Sequence, residues 1–255
     1  MRKVLFKKSS KWTGRIILNN PARKNAMDLE MASAFCETVN VILKDTSDLR
    51  LLIVEGSEGV FSSGGDLSML EGKSDEEPFE QLQGMLNYYR QFASLIDIPI
   101  PTVALVEGWC VGAGVCLTAL CDIRISVESA KFSVPFINLA LHPGLGSTYL
   151  LVQELQGFGD YMLLTGFSQS ASRLHQLGFI HELAQSRDEA EQLIEKIEAH
   201  FAQIPGEAIA LVLHTLRERK KNSLEKTFLL EARAQAICYS SEWFKQTLKQ
   251  KLSKS

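Results

Sequence analysis

Two segments of this chain, "LRLLIVEG" (49–56) and "PTVALVEG" (101–108), are short and largely apolar runs, and "DIRISVES" (122–129) reads as a third strand beside them. Runs of this length with no polar alternation read as strands covered on both faces, which is the environment of a parallel sheet. Between them lie helical patterns. Asp28 is placed to cap a helix whose apolar face is Leu29, Ala32, Phe35, Val39 and Ile42 or Leu43. A second helix is expected from Pro78 to Ile96, stopped by "IPIP". Strand, turn and helix recur in this order, which predicts an α/β architecture. Residues 3–8 and 15–18 read as a strand pair around the turn "SSKWTG", and Ser68 to Glu80 as a polar, mobile surface piece. From about residue 145 helices take over. "SRDEAEQLIEKIEAHF" is amphipathic with Ser186 as its cap, and residues 205–219 and 223–250 read as two or three more helices.

Composition limits the functions to consider. The chain has 255 residues, 45% apolar and 22% charged, with a net charge of −3. It is long enough for a substantial core, divided as a 1–200 α/β unit and a 201–255 helical region. The charge gives no reason to expect nucleic acid or an anionic membrane as partner. No apolar run reaches the roughly 18 residues of a membrane span, and no apolar segment of signal-peptide length follows the start. A cytoplasmic protein is the expectation. The five cysteines (Cys36, Cys110, Cys116, Cys121, Cys238) show no C-x-x-C spacing and read as buried thiols, not disulfides or a metal site.

Two turns draw the chemistry. "FSSGGD" (61–66) and "GWCVGAGV" (108–115) each follow a buried strand with small residues, so backbone N–H groups can approach a ligand. The second also opens a helix, where unpaired amides favour negative charge. Side by side, two such turns would make an oxyanion hole; the alternative is tight packing of small residues.

Beyond these turns, "NNPARKNAM", "IVEGSEGVFSSGGDL", "IPIPTVALVEGWCVGAGVCLTALCDIRIS", "AKFSVPFINLALHPGLGSTYLL" and "LLTGFSQSASRLHQLGFIHEL" stand in one order along the chain. Over residues from about 19 to 185 the sequence resembles the crotonase, or enoyl-CoA hydratase/isomerase, family. The resemblance implies a superhelical core of repeated ββα turns, C-terminal helices used in trimer formation (a homotrimer or dimer of trimers), and an acyl-CoA thioester as substrate or ligand. No separate cofactor is implied, coenzyme A being part of the substrate. It implies that the amides of Gly65 and Ala113 hold the thioester oxygen, that Ser63 lies near the adenine, and that Ala22 to Lys24 line the nucleotide portion. Asp66 and Leu67 complete the binding turn.

The acid–base positions of that pattern are empty. Family hydratases use two glutamates, where this chain has Cys116 and Phe136, and some isomerases carry an acid where it has Gly144. Groups of this kind typically contribute about 10²–10⁴-fold each, so their loss weighs heavily against hydration by two glutamates. Phe136 moves no proton. Cys116, near a helix start that can lower a thiol pKa, reads more readily as core packing. His142, in "LALHPGLG", is the best remaining candidate base, against a structural histidine bonded near a turn. Asp66 reads better as an anchor of its own turn, and Tyr88 and Tyr89 as packing and partner surface. "RERKK" (217–221) reads as a solvated helix end, able in a trimer to touch CoA phosphates. Three functions stay open: a family enzyme with non-standard acid–base groups, a decarboxylase or dehydratase acting on CoA or acyl-carrier-protein thioesters, and an acyl-CoA-binding protein without turnover.

Overall fold

The computed structural model describes residues 2–44, 46 and 48–253. Nine strands are present among them: β1 (Val4–Lys8), β2 (Thr13–Leu18), β3 (Leu51–Gly56), β4 (Thr102–Val106), β5 (Trp109–Val111), β6 (Ile123–Val127), β7 (Lys131–Ser133), β8 (Gln169–Ser170) and β9 (Glu182–Ala184). The main sheet runs β1-β2-β3-β4-β6-β9. Its first pair is antiparallel, with Val4 opposite Leu18, and every later pair is parallel. A small second sheet, β5-β7-β8, stands at the ends of the long strands.

Period-2 alternation explains why the central strands are apolar on both faces. Leu51, Ile53, Val103, Leu105, Ile125 and Val127 pack under Ala190 and Ile194, whereas Leu52, Val54, Ala104 and Val106 join the larger core. The helices are α1 (Leu29–Lys44), α2 (Pro78–Ala93), α3 (Ala113–Leu120), α4 (Ser147–Leu155), α5 (Gly157–Thr165), α6 (Ala171–Gln176), α7 (Arg187–Phe201), α8 (Gly206–Tyr239) and α9 (Glu242–Leu252). Asp28 caps α1 by accepting from the Met31 N–H at 2.8 Å, and Ser186 caps α7 by accepting from Glu189 N–H at 3.2 Å.

Several sequence expectations change. Leu29 and Leu43 are exposed, and Ile42 completes the buried stripe of α1. Helix α2 stops at Ala93 and passes into a 3₁₀ turn, Ser94–Asp97. The segment read as a mobile surface piece forms two 3₁₀ turns, Leu67–Leu70 and Lys73–Asp75. Leu70 is buried there, and the Gln81 amide donates to the carbonyls of Lys73 (2.6 Å) and Glu76 (3.0 Å).

The largest difference lies at the C-terminal end. Helix α8 is continuous for 34 residues, and the break falls at Ser240 and Ser241, where Ser241 caps α9. "RERKK" is therefore mid-helix. Arg217 is buried, pairs with Asp122, and donates to the carbonyls of Ile96, Ile98 and Ile100. The prolines of "IPIP" have no N–H and interrupt regular pairing, leaving these carbonyls to be satisfied by a side chain. Lys220 donates to Ala119 O and Lys221 pairs with Asp97, so three of the five charged residues fasten α8 to the core.

Candidate functional site

The two turns are knitted together by backbone. Ser62 N–H donates to Trp109 O and Val111 N–H to Ser62 O, both at 3.0 Å. Met27 N–H donates to Gly64 O at 2.8 Å, bringing in a third segment. Two glycines sit where a side chain would be strained. Gly64 has φ +95°, and a Cβ there would lie 2.9 Å from Val111 O; Gly112 has φ +51° and ψ −113°, which side-chain-bearing residues avoid. Beneath them Asn25 joins the loops. Its Nδ2 donates to the carbonyls of Ser57 and Val60, its Oδ1 accepts from Asn20 N–H and Ser57 Oγ, and its carbonyl accepts from Ser62 Oγ.

This arrangement leaves two N–H groups available. Gly65 N–H and Ala113 N–H, the latter at the first position of α3, have no acceptor among the described residues. Both residues line one cavity of about 280 Å³. Its other walls are mostly apolar, with Leu67, Met69, Met85, Phe136 and Leu141 prominent. The cavity thus presents a pair of main-chain donors inside an apolar chamber, a setting in which an oxygen gaining negative charge is strongly stabilised.

The residues singled out from sequence fall into distinct places. Gly65, Ala113, Ser63, Leu67 and Phe136 share the cavity wall, and the Phe136 ring lies 3.7 Å from where a Cβ on Gly112 would stand. Ala22 and Lys24 are exposed and off that wall; Lys24 O accepts from Ser63 N–H at 2.9 Å, which ties their turn to the rim. Asp66 accepts from Ser68 N–H and Oγ and from Arg23 Nη1 at 2.6 Å. Burial pushes its carboxyl up, but Arg23 and Ser68 outweigh this and hold it below the ordinary range. Those partners are what an anchor of the turn needs.

Cys116 is fully buried, does not line the cavity, and donates from Sγ to Gly144 O at 3.5 Å. Burial, with Glu231 nearby, pushes the thiol well above its usual value. The helix start does not lower it, because loss of water costs the thiolate more than the weak dipole returns. His142 is half-buried and also stands off the wall, its Nδ1 2.7 Å from Pro143 O.

Four residues drew no chemical reading from sequence. Tyr89 and Gln235 line the same cavity, joined by a Tyr89 Oη–Gln235 Oε1 hydrogen bond of 2.7 Å. Tyr239 Oη also donates to Gln235 Oε1 (3.1 Å), and Gln235 Nε2 donates to His142 O (2.8 Å). One turn back on α8, buried Glu231 accepts from Gly146 N–H, Thr148 N–H and Thr148 Oγ1, closing the start of α4. A signal existed: Phe228, Glu231, Gln235 and Tyr239 fall at helical spacing on one stripe, so two polar residues occupy core-facing positions.

Among the described residues on the cavity wall there is no aspartate, glutamate, histidine or cysteine; the titratable side chains there are Tyr88, Tyr89 and the exposed Lys251. The tyrosines are no substitute: burial raises both Tyr88 and Tyr89, and each hydroxyl already donates, Tyr88 to Met27 O at 2.9 Å.

Known proteins supply the wider context. Ethylmalonyl-CoA decarboxylase from Homo sapiens is 29% identical over 224 residues, covering 87% of this chain and 72% of that protein. The 2,3-dehydroadipyl-CoA hydratase of Escherichia coli (strain K12) is 29% identical over 191 residues, 72% of each. The crystal structure of an enoyl-CoA hydratase from Bacillus halodurans superposes with a TM-score of 0.89 over 97% of this chain and 99% of that one, at 22% identity. The family model for enoyl-CoA hydratase/isomerase matches residues 13–254. With the fold, the paired turns and a match along nearly its whole length, the chain belongs to the enoyl-CoA hydratase/isomerase, or crotonase, family.

Proposed function

We propose that the protein binds an acyl-CoA thioester in the 280 Å³ cavity, with the thioester oxygen on the N–H groups of Gly65 and Ala113, and stabilises the enolate formed there. The observation that carries this reading is the pair of amides at the cavity wall with no acceptor among the described residues, held by turns whose Gly64 and Gly112 have positive φ. The reaction class that fits best is decarboxylation of a malonyl-type thioester. When the bond between the α-carbon and the carboxylate breaks, carbon dioxide leaves and the electron pair passes into the enolate. No protein base has to remove a proton, and water can reprotonate the α-carbon. That suits walls that carry no carboxylate or imidazole. Hydration and double-bond migration need such groups. Exposed apolar residues of α8, including Leu211, Val212 and Leu216, support self-association, in keeping with the expected trimer.

The test is incubation with malonyl-type and saturated acyl-CoA thioesters in D₂O, read by mass spectrometry. Loss of carbon dioxide with deuterium gained at the α-carbon is the expected result. Deuterium exchange into saturated thioesters would instead identify a proton-abstracting enzyme. Binding with neither outcome would make it an acyl-CoA-binding protein, and absence of thioester binding would end the proposal.

A further inference from the structure

Gly144 marks a position that cannot hold a side chain. A Cβ built there would stand 2.4 Å from Tyr89 Oη and 2.7 Å from Gln235 Nε2, and both partners are almost fully buried. The space is taken by a hydroxyl and an amide, so polar groups stand where a side chain at 144 would go. Their hydrogen bonds also fix which way the amide faces. Gln235 Oε1 accepts from both Tyr89 and Tyr239, and one N–H of Nε2 goes to His142 O. A primary amide has two N–H donors. The second has no acceptor among the described residues, and Gln235 is on the cavity wall.

We infer that the Tyr89–Gln235 pair is a subsite for a second oxygen on the acyl group, in the same cavity as the amides that take the thioester oxygen. The inference rests on the thioester reading above and specifies its substrate: acyl chains bearing a β-carboxylate, in preference to plain hydrocarbon chains. The unused Gln235 N–H donates to that oxygen, and Tyr89 and Tyr239 keep the amide from rotating. A single neutral donor orients a carboxylate without neutralising it. The surrounding wall is mostly apolar, with Met69, Met85 and Leu141 prominent and the exposed Lys251 also on the lining; the apolar part solvates the charge poorly, so departure as neutral carbon dioxide relieves it. Gln235 is in this sense a positioning residue contacting the leaving group.

Acetoacetyl-CoA is the probe, because it carries a second oxygen at the β-position and cannot lose carbon dioxide; butyryl-CoA lacks that oxygen. Titration calorimetry near neutral pH gives the ratio of their dissociation constants. The expected ratio is about three- to tenfold in favour of acetoacetyl-CoA, the worth of one neutral hydrogen bond. In Gln235→Leu the ratio falls to about one, and Tyr89→Phe, which keeps the ring and removes one of the two hydroxyls on Oε1, lowers it part of the way. A merely structural role would weaken both ligands together and leave the ratio unchanged, which overturns the inference. A ratio of one in the unaltered protein overturns it without any variant. Failure of both thioesters to bind would overturn the thioester reading and this subsite with it, whereas equal binding of the two overturns the subsite alone.

Discussion

On one part of the cavity wall the polar groups are main-chain amides, each set by its own short turn and held by a glycine. On another part they are side chains, and Tyr89 and Gln235 come from positions 146 residues apart. The first wall is made by strand ends that can only turn one way. Gly64 and Gly112 sit at dihedral angles that other residues avoid, and the turns bond each other through Ser62, Trp109 and Val111. The second wall depends on α8 lying against α2, which Arg217 secures by clamping the "IPIP" carbonyls. A wall built from backbone tolerates side-chain replacement at the same positions, since the N–H groups stay whatever the side chain, proline excepted. Function that relies on side chains is easily rebuilt.

The comparison breaks most sharply at Ala113. It is the first residue of α3, where proline fits because that N–H makes no intrahelical bond. Ala113→Pro therefore deletes one donor while preserving the helix. Turnover of the thioester substrate should fall about 10²–10³-fold, the usual effect of removing one such donor. Circular dichroism should be unaltered. A loss below tenfold in a folded variant would mean that this amide does not hold the developing charge.

The next largest effect concerns Glu231, behind the side-chain wall. Glu231→Ala leaves Gly146 N–H, Thr148 N–H and the Thr148 hydroxyl without their acceptor and should destabilise the protein by about 3 kcal/mol. The carboxyl also titrates. Burial pushes it up to about 7 from an ordinary 4.5, although the donors pull the other way. The folded chain thus holds a proton that the unfolded chain has released. The stability this gives is fully present below pH 4.5 and is lost as pH rises to about 7. Glu231→Gln removes the titration. The gap in melting temperature between the protein and that variant should therefore move against the protein across this window and stay level above it. A gap independent of pH would show that the donors, not burial, set the proton affinity.

How much could be read in the sequence follows the same division. "LRLLIVEG", "PTVALVEG" and "DIRIS" specify buried parallel strands by composition alone, and the glycines after them specify turns, so the amide wall was legible. Gly65 and Ala113 meet at one cavity as the paired turns suggested. The other wall was not, because nothing local in "LNYYRQF" or "EARAQAICY" says that they meet. Helix α8 was split in expectation near residues 219–223, since a basic run looks solvated until Asp122 and the "IPIP" carbonyls are seen beside it. Cys116 was placed near a helix start correctly, but its environment depends on Gly144 and Glu231 from distant segments. The sequence reports local backbone demands well and the pairing of distant side chains poorly.

The smaller predictions concern two residues whose sequence context suggested chemistry. Cys116→Ala removes a fully buried thiol and its contact with Gly144 O, and should cost about 1–2 kcal/mol of stability with less than tenfold change in turnover. In the folded protein Cys116 should resist alkylation, since its thiolate is disfavoured by burial; rapid modification would show that the site opens. His142→Ala should have the least effect. The imidazole contacts Pro143 O, and the bond that matters to the cavity wall, from Gln235 Nε2, goes to the His142 main-chain carbonyl, which alanine retains. Turnover should change by no more than about threefold, because the remaining wall is untouched and a base at this position would have contributed about 10²-fold or more. A hundredfold loss in His142→Ala, with melting unaltered, would require the imidazole to reach the substrate. The proton chemistry would then belong to the loop between the two walls, and decarboxylation without a protein base would be the wrong reaction.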